Sequence, residues 1–208
     1  MEALGQLQLA DVIDYYRQLL KAKATKPILV GHSMGGLVAQ ILLSEGLGQA
    51  AVAIDSAPPP GIFVLSWPFI RSNWPALDPF APPDQPIQLD LSAFSYAFVN
   101  QQSLADQSRI YEEYYVPESR HVGRGPLDPT IGELLNWNSA RGPLLLIAGE
   151  KDHIIPAGLN YKNFLAYKTS PAFTEFQLAP GRDHSTIISP GWETIADSVK
   201  IWLNEKLR

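Results

Sequence analysis

The chain has no cysteine among its 208 residues. That excludes disulfide staples and every thiolate metal site, and it suits a reducing compartment, so a cytoplasmic location is expected. Positive charge is also in short supply. The 16 Lys and Arg face 21 Asp and Glu, for a net charge of −5. With no basic cluster, the electrostatic footprint of a nucleic-acid partner is absent. Long apolar runs are missing as well. No stretch approaches the roughly 20 residues that cross a bilayer, and Met1-Glu2-Ala3-Leu4-Gly5 lacks the basic and apolar regions of a signal peptide. No stable membrane insertion is expected. His, Asp and Glu nowhere fall at metal-ligand spacing, and no metal or cofactor is expected. What remains, 46% hydrophobic and 18% charged residues, is enough for one sizeable domain with a real core.

The most informative stretch is Ile28-Leu29-Val30-Gly31-His32-Ser33-Met34-Gly35-Gly36-Leu37-Val38. A β-branched apolar run stops at Gly-x-Ser-x-Gly, and a small-residue helical pattern follows at once. This is a strand–nucleophile–helix arrangement, in which a serine sits on a sharp turn at the top of a sheet. Glycine at both flanking positions, Gly31 and Gly35, is expected to remove collisions between a β-carbon and neighbouring backbone. Ser33 then begins a helix whose free N–H groups favour a developing anion. Met34, next in the chain, would offer its N–H as half of an oxyanion hole.

Periodicity organises the rest. Leu9, Val12, Ile13, Tyr16, Leu19 and Leu20 recur at helical spacing, with Asp11 and Asp14 early and Lys21 and Lys23 late, matching the helix dipole. Ala50–Ile54 and Leu144–Ala148 are continuous apolar runs, as expected of strands covered on both faces. Thr174–Leu178 alternates like a strand, and Trp192, Ile195, Val199 and Trp202 mark a closing helix. Alternating strands and helices predict an α/β fold, a doubly wound and mostly parallel sheet with ligands at the carboxyl ends of its strands.

Between these parts the character changes. Six of the 18 prolines crowd the stretch from Trp67 to Pro86. There Pro79, Pro82, Pro83 and Pro86 rule out a continuous helix. Aromatics are dense (Phe63, Trp67, Phe69, Trp74, Phe80, Phe94, Tyr96, Phe98), short helices are expected over 91–104 and 104–115, and Tyr111, Tyr114 and Tyr115 suggest an apolar face. The expected division is 1–60 for the first part of the core, 61–141 for an inserted helical cap, and 142–208 for the second part. An aromatic cap over a site would line a small-molecule pocket, with Trp67 and Phe69 as expected substrate contacts.

Ser33, Asp152 and His184 each follow a predicted strand and so share one rim, in the order serine, acid, histidine. The chemistry needs all three types. A neutral hydroxyl is a poor nucleophile, so His184 must take its proton and return it to the leaving group. Asp152 would hold the imidazole tautomer and stabilise the imidazolium. Asp55 also follows a strand and is the alternative acid. His32 and His153, beside the nucleophile and the acid, are expected to line the pocket rather than act as bases. His121 is a lesser candidate in the cap, and Asp183 is expected to be solvated.

These stretches (Gly31–Leu37, Ala53–Pro58, Leu144–Pro156 with Gly149-x-x-Asp152-His153, and Gly181–Trp192) resemble the α/β-hydrolase superfamily, and within it a bacterial lysophospholipase-like and esterase branch. The resemblance implies ester or related acyl-transfer chemistry through an acyl-enzyme, without a cofactor. It also implies several preceding strands and a His-Gly loop supplying the second oxyanion donor, and nothing before Leu9 matches those. The chain thus resembles the C-terminal three-quarters of a hydrolase, N-terminally shortened. The strand at Ile28–Val30 would be a sheet edge, through which a homodimer is expected. A serine esterase acting on a small-molecule acyl ester is the leading expectation. Cofactor-free haloperoxidase or C–C hydrolase chemistry on the same triad, and a non-catalytic oligomeric scaffold, are the alternatives.

Overall fold

A computed structural model describes residues 1–208. Its centre is a parallel sheet of β1 (Ile28–His32), β2 (Ala50–Ile54), β3 (Leu144–Gly149) and β4 (Thr174–Ala179), in the spatial order β1-β2-β3-β4. Each strand pairs with its neighbour in register, Ile28 opposite Ala50, Ala51 opposite Leu144, and Leu144 opposite Thr174. The winding therefore runs one way through these strands, and their carboxyl ends all open on one rim.

Helices cover both faces. On one, Ala51, Ala53, Leu144 and Leu146 meet Ala39 and Leu43 of α3 (Met34–Ser44), with Tyr167 just after α9 (Ala157–Ala166). On the other, Ala50, Val52, Ile54, Leu145 and Ile147 meet Trp202 of α10 (Trp192–Lys206). Alternate residues of β2 and β3 thus reach opposite faces, as the two-residue period of a strand requires. Every residue of both strands is buried. Each fully buried Leu or Ile there contributes about 1.5–3 kcal/mol, which is why these runs carry no polar residue.

The edge β1 is different. Ile28 is 37% and Val30 61% exposed, because α10 packs on the middle of the sheet and leaves their side uncovered. Ahead of it, α1 (Glu2–Gln6) and α2 (Leu9–Lys21) precede the sheet, and Leu9 and Ile13 join Leu37, Val38, Ile41 and Leu42 in the largest apolar cluster. A capping box starts α2: Gln8 N–H donates to Asp11 Oδ2 at 2.9 Å while the Gln8 side chain takes the first-turn N–H.

Residues between β2 and β3 form α4 (Trp67–Leu77), α5 (Leu91–Phe98), α6 (Leu104–Tyr114), α7 (Arg120–Arg124), a 3₁₀ turn at Gly125–Leu127 and α8 (Pro129–Glu133). The expected short helices around 91–115 are α5 and α6. The helix α4 was hidden by its prolines. Pro68 occupies its first turn, where no intrahelical donor is needed, and Ser66 Oγ accepts from Phe69 N–H to start it. It ends at Leu77, ahead of Pro79. The tyrosine face divides. Tyr111 and Tyr115 stack 4.9 Å apart around Phe94, whereas Tyr114 is 53% exposed.

Candidate active site

Ser33 sits between β1 and α3 with φ 54° and ψ −121°. A non-glycine residue there costs about 1–3 kcal/mol and persists only where its surroundings over-determine it. Three backbone bonds do so. Ser33 N–H donates to Ile54 O, and Ser33 O accepts from Gly36 N–H and Ala57 N–H, each at 2.9 Å. The sharp turn leaves no room at Gly31, where a Cβ would overlap the carbonyl of Gly35 and press on Gly36 N at 2.8 Å. The expected need for glycine at Gly35 is corrected: a Cβ there meets nothing within 4 Å. The second close approach is at Gly36, whose Cβ would lie 2.7 Å from the Ser56 side chain. Met34 is the first residue of α3, so its N–H has no acceptor within the helix.

The loops after β3 and β4 bring Asp152 and His184 together. His184 Nδ1 donates to Asp152 Oδ2 at 2.7 Å, and both side chains are fully buried. Asp152 Oδ1 accepts from Ile154 N–H at 2.7 Å and Ile155 N–H at 2.9 Å, so the carboxylate cannot rotate away. With Nδ1 protonated, Nε2 is left as an acceptor, and it has no hydrogen-bond partner in the protein. His184 lines a cavity of about 690 Å³ that Ser33 also lines, and no hydrogen bond joins Ser33 Oγ to Nε2. Burial disfavours the imidazolium, but the charge and hydrogen bond of Asp152 outweigh it and raise the His184 pKa above 6.5.

Asp55 lies beneath this pair. It is fully buried with φ 45°, its Oδ1 accepts from Gly149 N–H at 2.6 Å, and Oδ2 is 3.8 Å from His32 Nε2. The acid bonded to His184 is thus Asp152. Burial, reinforced by the nearby Asp152 charge, pushes the Asp55 carboxyl up to about 7. A carboxyl raised in the folded state is penalised once ionised, so folding loses stability as pH climbs from the unfolded value of 3.8 through 7. Asp55→Asn should therefore melt higher than the parent at pH 8 by an amount on the order of a few kcal/mol, and the advantage should vanish below pH 4. Calorimetric melts across that range check it; an advantage independent of pH rejects it.

The expected pocket residues fare unevenly. Phe69 lines the cavity, as do Phe63 and Phe98. Trp67 does not; it is 69% exposed at the first turn of α4 and faces away, a correction to its expected role. His153 does not line it either. Its Nδ1 donates to Tyr96 O at 2.8 Å and its ring lies against Tyr96, so it ties a loop to α5. His32 does line the cavity, and its Nε2–H donates to His184 O at 2.8 Å with the rings 4.6 Å apart. Burial holds its pKa down to about 3, so it is a neutral support for the histidine loop. His121 pairs with Asp84 at the surface. Asp183, expected to be solvated, is fully buried: Oδ1 accepts from Ser185 N–H and Oγ, and Oδ2 from Gln101 N–H and the Gln102 amide. The Asp-His-Ser succession is the one sequence signal for it, since Asp readily caps a residue two positions on.

His32, Asp55 and His184 place ligand atoms within 4.8 Å of one another. His32 Nε2 is committed to a carbonyl and His184 Nδ1 to Asp152, so this triplet reads as a hydrogen-bonded support.

A family model described as the alpha/beta hydrolase family matches residues 2–196. The chain belongs to that family. No curated protein sequence matches it. Among solved structures it is similar to a Paleococcus ferrophilus monoacylglycerol lipase, at 19% identity and TM-score 0.67, with 96% of this chain and 76% of that one covered. It is similar also to a soluble variant of Saccharomyces cerevisiae monoglyceride lipase, at 16% identity and TM-score 0.70, covering 97% of this chain and 72% of that one. A thermophilic esterase from Thermogutta terrifontis matches at 15% identity and TM-score 0.63, with 96% and 73% covered. The hydrolase chain thus spans about three-quarters of the length of these structures. No helix in it is long and apolar enough to cross a membrane.

Proposed function

We propose that this hydrolase cleaves carboxylic esters through Ser33, His184 and Asp152. The observation that carries the reading is the 2.7 Å bond from His184 Nδ1 to Asp152, which leaves Nε2 as a base on the cavity that Ser33 lines. Ser33 Oγ attacks the ester carbonyl carbon as Nε2 accepts its proton, and Asp152 stabilises the imidazolium. The carbonyl oxygen, now anionic, is met by the Met34 N–H and the positive start of α3. Collapse expels the alcohol with the proton from Nε2, and water repeats the sequence to release the acid and restore Ser33. The helical segment over the cavity acts as a cap, and its Phe63, Phe69 and Phe98 favour an acyl or alcohol group of moderate size. Names of solved relatives that are lipases and esterases agree with this chemistry at the level of family.

A fluorophosphonate probe should label the parent and fail on Ser33→Ala, read by mass spectrometry of the labelled peptide. Labelling that survives the substitution overturns the assignment. Peroxide-dependent halogenation, the rival chemistry on the same residues, is run beside p-nitrophenyl ester hydrolysis. Pairing of two copies through the open edge of β1 belongs to the same reading. Light scattering should give twice the chain mass, and a Val30→Lys variant should give the single mass; a parent that scatters as one chain rejects the pairing.

A further inference from the structure

The cavity beside Ser33 has an uneven chemistry. Its walls are mostly apolar, no lysine or arginine lines it, and Glu118 is its one carboxylate. Glu118 also lines a smaller adjoining cavity of about 200 Å³, whose wall includes His32, Phe98 and His184. It therefore stands where both spaces meet the histidine.

Glu118 is held there by backbone. It forms an isolated antiparallel bridge with Ile87, Glu118 N–H to Ile87 O at 3.1 Å and Ile87 N–H to Glu118 O at 2.8 Å. The next residue, buried Ser119, donates its hydroxyl to Leu7 O at 2.6 Å. The Glu118 side chain is exposed on the side that faces the cavities, and protein atoms crowd it on the others. That crowding pushes the carboxyl above its ordinary range, His184 offsets the cost only in part, and no hydrogen bond or lysine or arginine meets it. An acid set into an apolar wall is expensive to ionise unless something positive comes to it. The complement is an organic cation: charge for Glu118, and methyl or methylene groups for the surrounding apolar wall. A carboxylate-bearing ligand meets like charge and is turned away.

We infer that Glu118 makes this cavity selective for esters that carry an ammonium group and against those that carry a carboxylate. The inference rests on the proposed ester hydrolysis for its meaning in catalysis, and the binding preference can be read apart from turnover.

Choline and 3,3-dimethyl-1-butanol have the same shape and differ in charge, which makes them the probes. As competitive inhibitors of p-nitrophenyl butyrate hydrolysis, choline should bind at least tenfold more tightly than the alcohol. In Glu118→Gln the two should fall within twofold. In Glu118→Lys, 3,3-dimethylbutyrate should bind better than choline. Circular dichroism melts establish that both variants fold, and if the lysine variant does not, the glutamine variant decides. Equal binding by the parent, or a choline preference that survives Glu118→Gln, overturns the inference. Calorimetry on the parent runs the same comparison without any reaction. Choline preference with no ester turned over would sink the hydrolytic reading and keep the cation site, whereas turnover without choline preference would do the reverse.

Discussion

Asp152→Asn should lower kcat/KM for a p-nitrophenyl ester about ten-thousandfold. The reason lies in which atoms are bonded. Asn in that position keeps an oxygen for Ile154 N–H and Ile155 N–H, so the loop stays folded. Its amide nitrogen then faces His184 Nδ1, which must become the acceptor, and the proton moves to Nε2. An imidazole protonated at Nε2 cannot take the proton of Ser33. The fall should appear in kcat, with the binding of a neutral ester nearly unchanged. Asp55→Asn is the paired control: its oxygen still accepts from Gly149 N–H, it makes no bond to the His184 ring, and the loss should stay within about tenfold, a cost of no more than ~1.4 kcal/mol. If Asp55→Asn costs more than Asp152→Asn, the acid has been assigned to the wrong strand. The pH profile adds a second reading of the same bond. Activity needs neutral His184, whose pKa is raised by Asp152, so kcat/KM should climb with pH to a midpoint above 6.5. Residual activity of Asp152→Asn should show a lower midpoint, because burial still disfavours the imidazolium while its strongest opposing charge is gone.

The second large effect is structural. Gly31→Ala should leave little folded protein, because every atom its Cβ would strike belongs to backbone that already holds Ser33 in place. Such overlap has no flexible side chain to yield, and a loss above about 4 kcal/mol is expected. Gly35→Ala, four residues on in the same motif, should do the opposite. Its Cβ enters open space inside α3, and the gain from replacing a helical glycine is about 0.5–1 kcal/mol. Urea titrations of the two variants check the contrast, and a Gly31→Ala protein as stable as the parent would contradict the packing described for the turn.

Much of this was legible in the sequence, for reasons visible in particular residues. Ala50–Ile54 and Leu144–Ala148 read as buried strands because helices cover both sides of them, and nothing polar could sit there. Ser33, Asp152 and His184 read as a set because each follows a strand, and a parallel sheet brings such positions to one rim. Local rules failed where tertiary placement decides. The prolines of 67–86 bar a continuous helix, and α4 does stop at Leu77 ahead of Pro79, but Pro68 in its first turn and Pro75 inside it hid the helix itself. His153 follows the acid and so looked like a pocket residue, but its neighbour Tyr96 comes from a helix more than fifty residues away and turns the ring aside. Asp183 looked like a surface acid because its partners, Gln101 and Gln102, are remote in the chain. Glu118 gave no signal at all: Pro117-Glu118-Ser119 reads as a solvated bend, and only the fold of the whole 61–141 segment brings it to the cavity.

The ties at the end of α5 bind the segment between β2 and β3 to the loops that follow β3 and β4. Gln101 and Gln102 are moored to Asp183, Asn100 to the carbonyl of Lys151, and Tyr96 to His153, so this corner is anchored to the loops that carry the acid and the base. Lifting it would strain the loops that carry Asp152 and His184. Around Phe63, Leu65 and Trp67, which stand exposed, the ties are fewer: Lys162 donates to the Phe63 carbonyl, and further along α4 Asn73 donates to the Ile154 carbonyl. Loosening the α5 corner should therefore disturb the Asp152–His184 pair more than loosening the segment at Phe63, whose bond from Lys162 touches neither loop.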